Sequence, residues 1–228
     1  MKNGVEGAKA VDDHMYSTPD QMFDFTEDMD ATSRSVPIWE LEFAVINSGL
    51  TNDQDIYSGP GRLQHPTLIG ALAEAAFLAA AERNGDVFNP GQMVKSTSYY
   101  VQYAWGNYPI KQIHDAKLST PTKSSHIYHS FGSNSEGQLV AKLINANAKP
   151  RTVKVQVGDG SKLSAGGAKS WQIKGSDAQA ANTLGNPSLV VPQANANGLP
   201  EGARLEQDGS MTVTLPAYSA TVLTVPVA

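Results

Sequence analysis

The chain changes texture near residue 114, and that change constrains the fold more than any single motif. Downstream of it, "HIYHSFG", "QLVAKLINA", "RTVKVQV", "SWQIKG", "MTVTLPA" and "SATVLTVPV" are short, rich in β-branched residues and parted by Gly, Asn, Asp and Pro clusters. Strands of this length with turn chemistry between them make an antiparallel sandwich. Asp177 to Asp208 is rich in Asn, Ala, Gln and Gly and reads as a long irregular excursion.

Upstream, strand and helix signals alternate. Thr18-Pro19-Asp20 before "QMFDFTEDMD" predicts a capped short helix, with Pro19 tolerated in the first turn and Asp20 favourable near the N-terminus. Pro37 marks the entry to a strand over Ile38 to Ile46. Asn47 to Pro66 is polar and rich in Gly, Pro and Asp, hence loop. In "PTLIGALAEAAFLAAAERNGD", Leu68, Leu72, Ala75, Ala76 and Ala79 recur at helical spacing and Asn84-Gly85 provides a stop. A further helix is expected over Thr97 to Tyr108. The fold class is therefore α/β plus all-β, with strand–helix alternation in residues 1–113 and a sandwich in residues 114–228 that is expected to fold independently.

Composition narrows function mainly by exclusion. A formal charge of -5 with no Lys/Arg cluster interleaved with aromatics gives no footprint for nucleic acid. No apolar run approaches the roughly 18 residues of a membrane helix, and the start, "MKNGVEGAKAVDDHMY", lacks the apolar stretch of a signal peptide, so the chain reads as soluble and untargeted. With no cysteine there is neither a disulfide framework nor a thiolate metal site. His126 and His129 would point to opposite faces of a strand and have no acidic partner at ligand spacing, so neither a metal nor another cofactor is expected.

One strand does not fit a purely structural role. "IWELEFAVINSG" is apolar at Ile38, Trp39, Leu41, Phe43, Ala44, Val45 and Ile46, yet carries Glu40 and Glu42. On a regular pleat the two acids share a face, and spacing alone prefers neither.

The stretch "WELEFAVINSGLTNDQDIYSGPGRLQHPTLIGALAEAAFLAAAERNGD" resembles glycoside hydrolase family 51, the α-L-arabinofuranosidases, most closely their fungal branch. The resemblance extends upstream to "DDHMYSTPDQMF" and downstream through "KSTSYYVQ" into "NTLGNPSLVVP" and "LPAYSATVLTV". It implies a (β/α)8 barrel, here incomplete, followed by a C-terminal β-sandwich. It also implies a retaining hydrolase that removes arabinofuranosyl side chains from arabinan or arabinoxylan. In this sequence Glu42 falls where the family has its nucleophile, at the carboxyl end of the seventh barrel strand. His14 and Tyr16 fall near the sugar, while Met15 replaces a family tyrosine. Retaining chemistry needs a nucleophilic carboxylate and an acid/base about 5 Å apart. The family's acid/base belongs to an Asn-Glu pair, and this sequence contains no Asn-Glu dipeptide.

Further expectations follow from the same likeness. Asn47, Asp53, Tyr57 and Arg62 could line the cleft. Glu74, Glu82 and Arg83 would form ion pairs at the helix surface or at its contact with the barrel. The eighth strand looks deleted after "ERNGDVF". The partner would be an arabinose-containing polysaccharide or oligosaccharide, and the location extracellular. Another reading is a non-catalytic carbohydrate-binding sandwich, with Trp171, Tyr128 and Tyr218 as its candidate aromatics; a third is a truncated product without function.

Overall fold

The structure, a computed structural model, describes residues 11–31, 38–45, 67–84, 87–88, 97–116, 125–182, 186 and 188–228. Its first part alternates as the sequence predicts: β1 (Val11–Ser17), α1 (Pro19–Ala31), β2 (Ile38–Val45), α2 (Leu68–Asn84), β3 (Val87–Phe88) and α3 (Thr97–Asn107). The three strands lie side by side in the order β1-β2-β3, all parallel. β3 is two residues long and pairs through Trp39↔Val87 and Glu40↔Phe88. This short strand is the end of "ERNGDVF"; the stretch after it, where the eighth strand was expected to be deleted, lies outside the described residues up to residue 96.

Local chemistry sets the helix ends. The Thr18 hydroxyl accepts the Gln21 N–H at 3.3 Å while the Gln21 side-chain oxygen accepts the Thr18 N–H at 3.0 Å. This reciprocal capping box satisfies two donors that the first turn would otherwise leave free. Thr67 caps α2 in a similar way, its hydroxyl accepting the Gly70 N–H at 3.1 Å. α2 itself is buried from Gly70 to Ala81 without a polar stripe, because it is packed on every side: against α1 and α3, against β2 and β3, and against the sandwich. A helix apolar all round belongs in an interior. Its alanines, with no long side chains, let the neighbouring layers come close.

The second part is a sandwich built from β4 (Gln112–Ile113), β5 (Ile127–Ser133), β6 (Leu139–Asn145), β7 (Arg151–Val155), β8 (Lys169–Lys174), β9 (Gln193–Asn195), β10 (Ala203–Leu205), β11 (Met211–Leu215) and β12 (Ser219–Val225). One antiparallel sheet runs β4-β5-β6-β12-β8-β9 and the other β10-β11-β7. All six strand signals read from the sequence are present. The expected irregular excursion from Asp177 contains two short strands, β9 and β10, which extend one sheet each.

β6 and β12 are buried at every position, although antiparallel sheets commonly leave one face to water. Side-chain alternation shows why. Leu139, Ala141 and Leu143 of β6, with Leu223 and Val225 of β12, pack against Val155, Met211, Val213 and Leu215 of the smaller sheet. Val140, Ile144, Ala220 and Val222 point the other way, into the cluster that holds α2. The larger sheet is the middle of three layers.

Candidate functional site

β1 and β2 bring the singled-out residues of the first part together at the level of backbone register. In the parallel ladder His14 is the partner of Glu42, Tyr16 of Ala44, and Asp13 of Glu40. Between Asp13 and His14 the register shifts: β1 advances one residue while β2 advances two, leaving Leu41 as the extra residue. Such a bulge re-aims the chain and often lies beside active sites. The backbone now distinguishes the two acids, since Glu42 pairs with His14 and Glu40 with Asp13. Glu42 lies in the last half of β2, near the carboxyl ends of the parallel strands, where sites on such sheets form. Asn47, Asp53, Tyr57 and Arg62 lie outside the described residues.

A second constellation escaped the sequence reading. Lys142, in the middle of β6, is fully buried on the face toward the helices, and its ammonium donates to Glu82 at 2.5 Å. The Ser130 hydroxyl of β5 donates to the other Glu82 oxygen at 2.7 Å. The Lys142 ammonium also lies 4.8 Å from the centre of the Trp105 ring of α3, a cation–π contact. Burial pushes the Lys142 pKa down, and the charge and hydrogen bond of Glu82 oppose it. Near the middle of α2, Glu74 is fully buried and accepts the Gln102 amide at 2.6 Å. Glu82 was expected at the helix surface or against the barrel; it reaches the sandwich instead, because the end of α2 crosses β5 and β6. The only hint in the sequence was a lysine inside the otherwise apolar "QLVAKLINA".

The remaining candidates sit apart. Trp171 is 2% exposed and Tyr128 1%, with the Tyr128 ring stacked on Phe23 at 4.9 Å, so neither offers a face to a sugar. Burial, and then the carboxylates of Glu27, Asp24 and Asp20, pushes the Tyr128 hydroxyl far above the ordinary tyrosine range. Tyr218 is half-buried. His126 precedes β5 and adopts φ 50°, while His129 lies on β5 against Phe131. Among the described residues no group of three His, Cys, Asp or Glu could hold a metal ion, and no helix is long and apolar enough to cross a membrane. Among the described residues, a groove of about 790 Å³ is lined by sandwich residues and their flanks, Phe131, Leu139, Val153 and Val155 among them.

The protein-family model described as the α-L-arabinofuranosidase C-terminal domain matches residues 87–219, more than half of the chain. Curated relatives include a probable α-L-arabinofuranosidase A of Aspergillus terreus, 26% identical over 240 aligned positions that cover 94% of this chain and 33% of that protein. Another is α-L-arabinofuranosidase 2 of Arabidopsis thaliana, 26% identical over 212 positions, covering 82% of this chain and 29% of the relative. The chain thus spans about a third of the length of these relatives. Among solved structures, an arabinose-bound GH51 α-L-arabinofuranosidase superposes with a TM-score of 0.76 at 24% identity, covering 96% of this chain and 37% of the other. The GH51 arabinofuranosidase of Xanthomonas axonopodis pv. citri gives 0.67 at 20% identity, covering 99% and 54%. At these identities the likeness speaks for the fold.

Proposed function

Because the chain belongs to the α-L-arabinofuranosidase C-terminal domain family, we propose that it forms part of a retaining α-L-arabinofuranosidase acting on arabinan or arabinoxylan side chains, with Glu42 as the nucleophile. The observation that carries this reading is the pairing of His14 with Glu42 across β1 and β2, directly after the register shift at Leu41. A carboxylate near the carboxyl end of a parallel strand is held by the sheet and directed toward the rim where substrate binds. His14 could donate a hydrogen bond to the nucleophile or to a sugar hydroxyl, and Tyr16, two residues on, could hydrogen-bond or stack on the furanose ring.

In this reading β1, β2 and β3 are a remnant of a (β/α)8 barrel followed by the sandwich, and the acid/base comes from sequence outside these residues. General acid–base catalysis contributes about 10²- to 10⁴-fold. The 228 residues alone are therefore expected to hydrolyse an aryl α-L-arabinofuranoside at little more than the uncatalysed rate. Turnover well above background that disappears in Glu42→Ala would show that the described residues are a sufficient catalyst, and the missing-acid argument would fall. In a protein completed with the barrel half, Glu42→Ala should abolish turnover; retained activity there would remove Glu42 from the mechanism. The expected place of action is outside the cell, with arabinose-containing glycans as substrate. The carbohydrate-binding alternative is weakened by the burial of Trp171 and Tyr128.

A further inference from the structure

We propose that Glu82, Lys142, Ser130 and Trp105 form a buried lock that fixes one orientation of the helical layer on the six-stranded sheet. Elsewhere that contact is apolar. α2 contributes alanines together with Leu72, Phe77 and Leu78, and the sheet contributes Tyr128, Val140, Ile144, Trp171 and Val222 to the same cluster. Apolar burial is non-directional and the alanines of α2 make shallow ridges, so this surface leaves part of the choice between neighbouring registers open.

The polar cluster discriminates sharply. Lys142 and Ser130 are partners across β6 and β5, and each binds a different oxygen of the one Glu82 carboxylate. Two strands therefore grip a single side chain of α2 from fixed positions. Trp105 closes the ammonium's remaining side from α3. A slip of α2 by one residue moves it about 1.5 Å along its axis, enough to break both hydrogen bonds and strand an ammonium with no access to water. Every wrong register is thus penalised, while the correct one is little favoured in net energy, because desolvation offsets much of the attraction in a buried pair.

The lock and plain stabilisation differ in what they require of a variant that replaces both charges. In the full chain, Glu82→Leu with Lys142→Met should melt at the wild-type temperature or above. Its amide exchange along α2, α3 and β6 should accelerate about tenfold or more, as several registers become populated. Wild-type protection through those elements in the double variant would overturn the proposal. So would failure of that variant to fold, since the pair would then supply stability and not orientation. Ser130→Ala keeps both charges and removes one grip: exchange in the last turn of α2 should rise a few-fold at unchanged melting temperature, and unaltered exchange there would also overturn the lock.

Discussion

The two faces of the six-stranded sheet solve the same problem by different means. Toward the smaller sheet, interdigitating Leu, Val and Met side chains specify the contact, and its buried polar groups include the uncharged Gln172–Thr221 pair, hydrogen-bonded at 3.0 Å. Toward the helices the cluster is also apolar, and a buried lysine paired with a partly exposed glutamate adds a charged contact. Shape can align two pleated sheets because their large side chains interlock. A helix rich in alanine has less shape to interlock, and charge adds to that task.

The largest effect should come from breaking the charged face. Lys142→Met leaves the Glu82 carboxylate, 16% exposed, with the Ser130 hydroxyl but no ammonium, and denaturant unfolding should show a loss of up to about 3–5 kcal/mol. On the apolar face Leu223→Ala, at a fully buried position, should cost about 2–5 kcal/mol in the same measurement, through lost transfer energy and a cavity. A cost for Leu223→Ala clearly exceeding that of Lys142→Met would reverse the ranking of the two faces. Thr221→Val tests the uncharged polar pair: the Gln172 amide loses its acceptor, and a penalty of about 1–3 kcal/mol is expected.

The smallest effect belongs to the exposed pair of Lys154 with Asp208, half in water on both sides, which shares the chemistry of Lys142 with Glu82 but not its surroundings. Hydrogen bonds from Lys154 and then Ser210 hold the Asp208 carboxyl well below the usual carboxylate range. A folded-state pKa depressed in this way adds stability that is present above the ordinary aspartate value and fades as pH falls through the lowered one. Asp208→Asn should therefore leave melting at neutral pH nearly unchanged and flatten its decline in strong acid; solvent screening keeps both changes small.

Legibility in the sequence followed the range of the interaction. The capped start of α1, the strand over Ile38 to Val45 and the six main sandwich strands rest on signals within a few residues, and each is where local chemistry predicts it. The Glu82–Lys142 pair spans sixty positions and leaves no periodicity to read. Likewise, the helical spacing of Leu68, Leu72, Ala75, Ala76 and Ala79 marked one stripe of α2, whereas burial on its other sides depends on which layers come to lie there. The register shift at Leu41 is a property of two strands together, so "IWELEFAV" by itself left Glu40 and Glu42 equivalent. Resemblance alone points to Glu42; the backbone ladder adds that it is the partner of His14, whereas Glu40 is the partner of Asp13.

The middle-layer position of the six-stranded sheet bears on any attempt to divide the protein. A piece beginning at residue 114 would keep every strand of the sandwich except β4, yet it would lose the roof that the helices place over Tyr128, Val140, Ile144, Trp171, Ile173 and Val222. That uncovered wall would be an adhesive plate carrying a stray ammonium at its centre. For workable expression, the cut belongs ahead of the alanine helix.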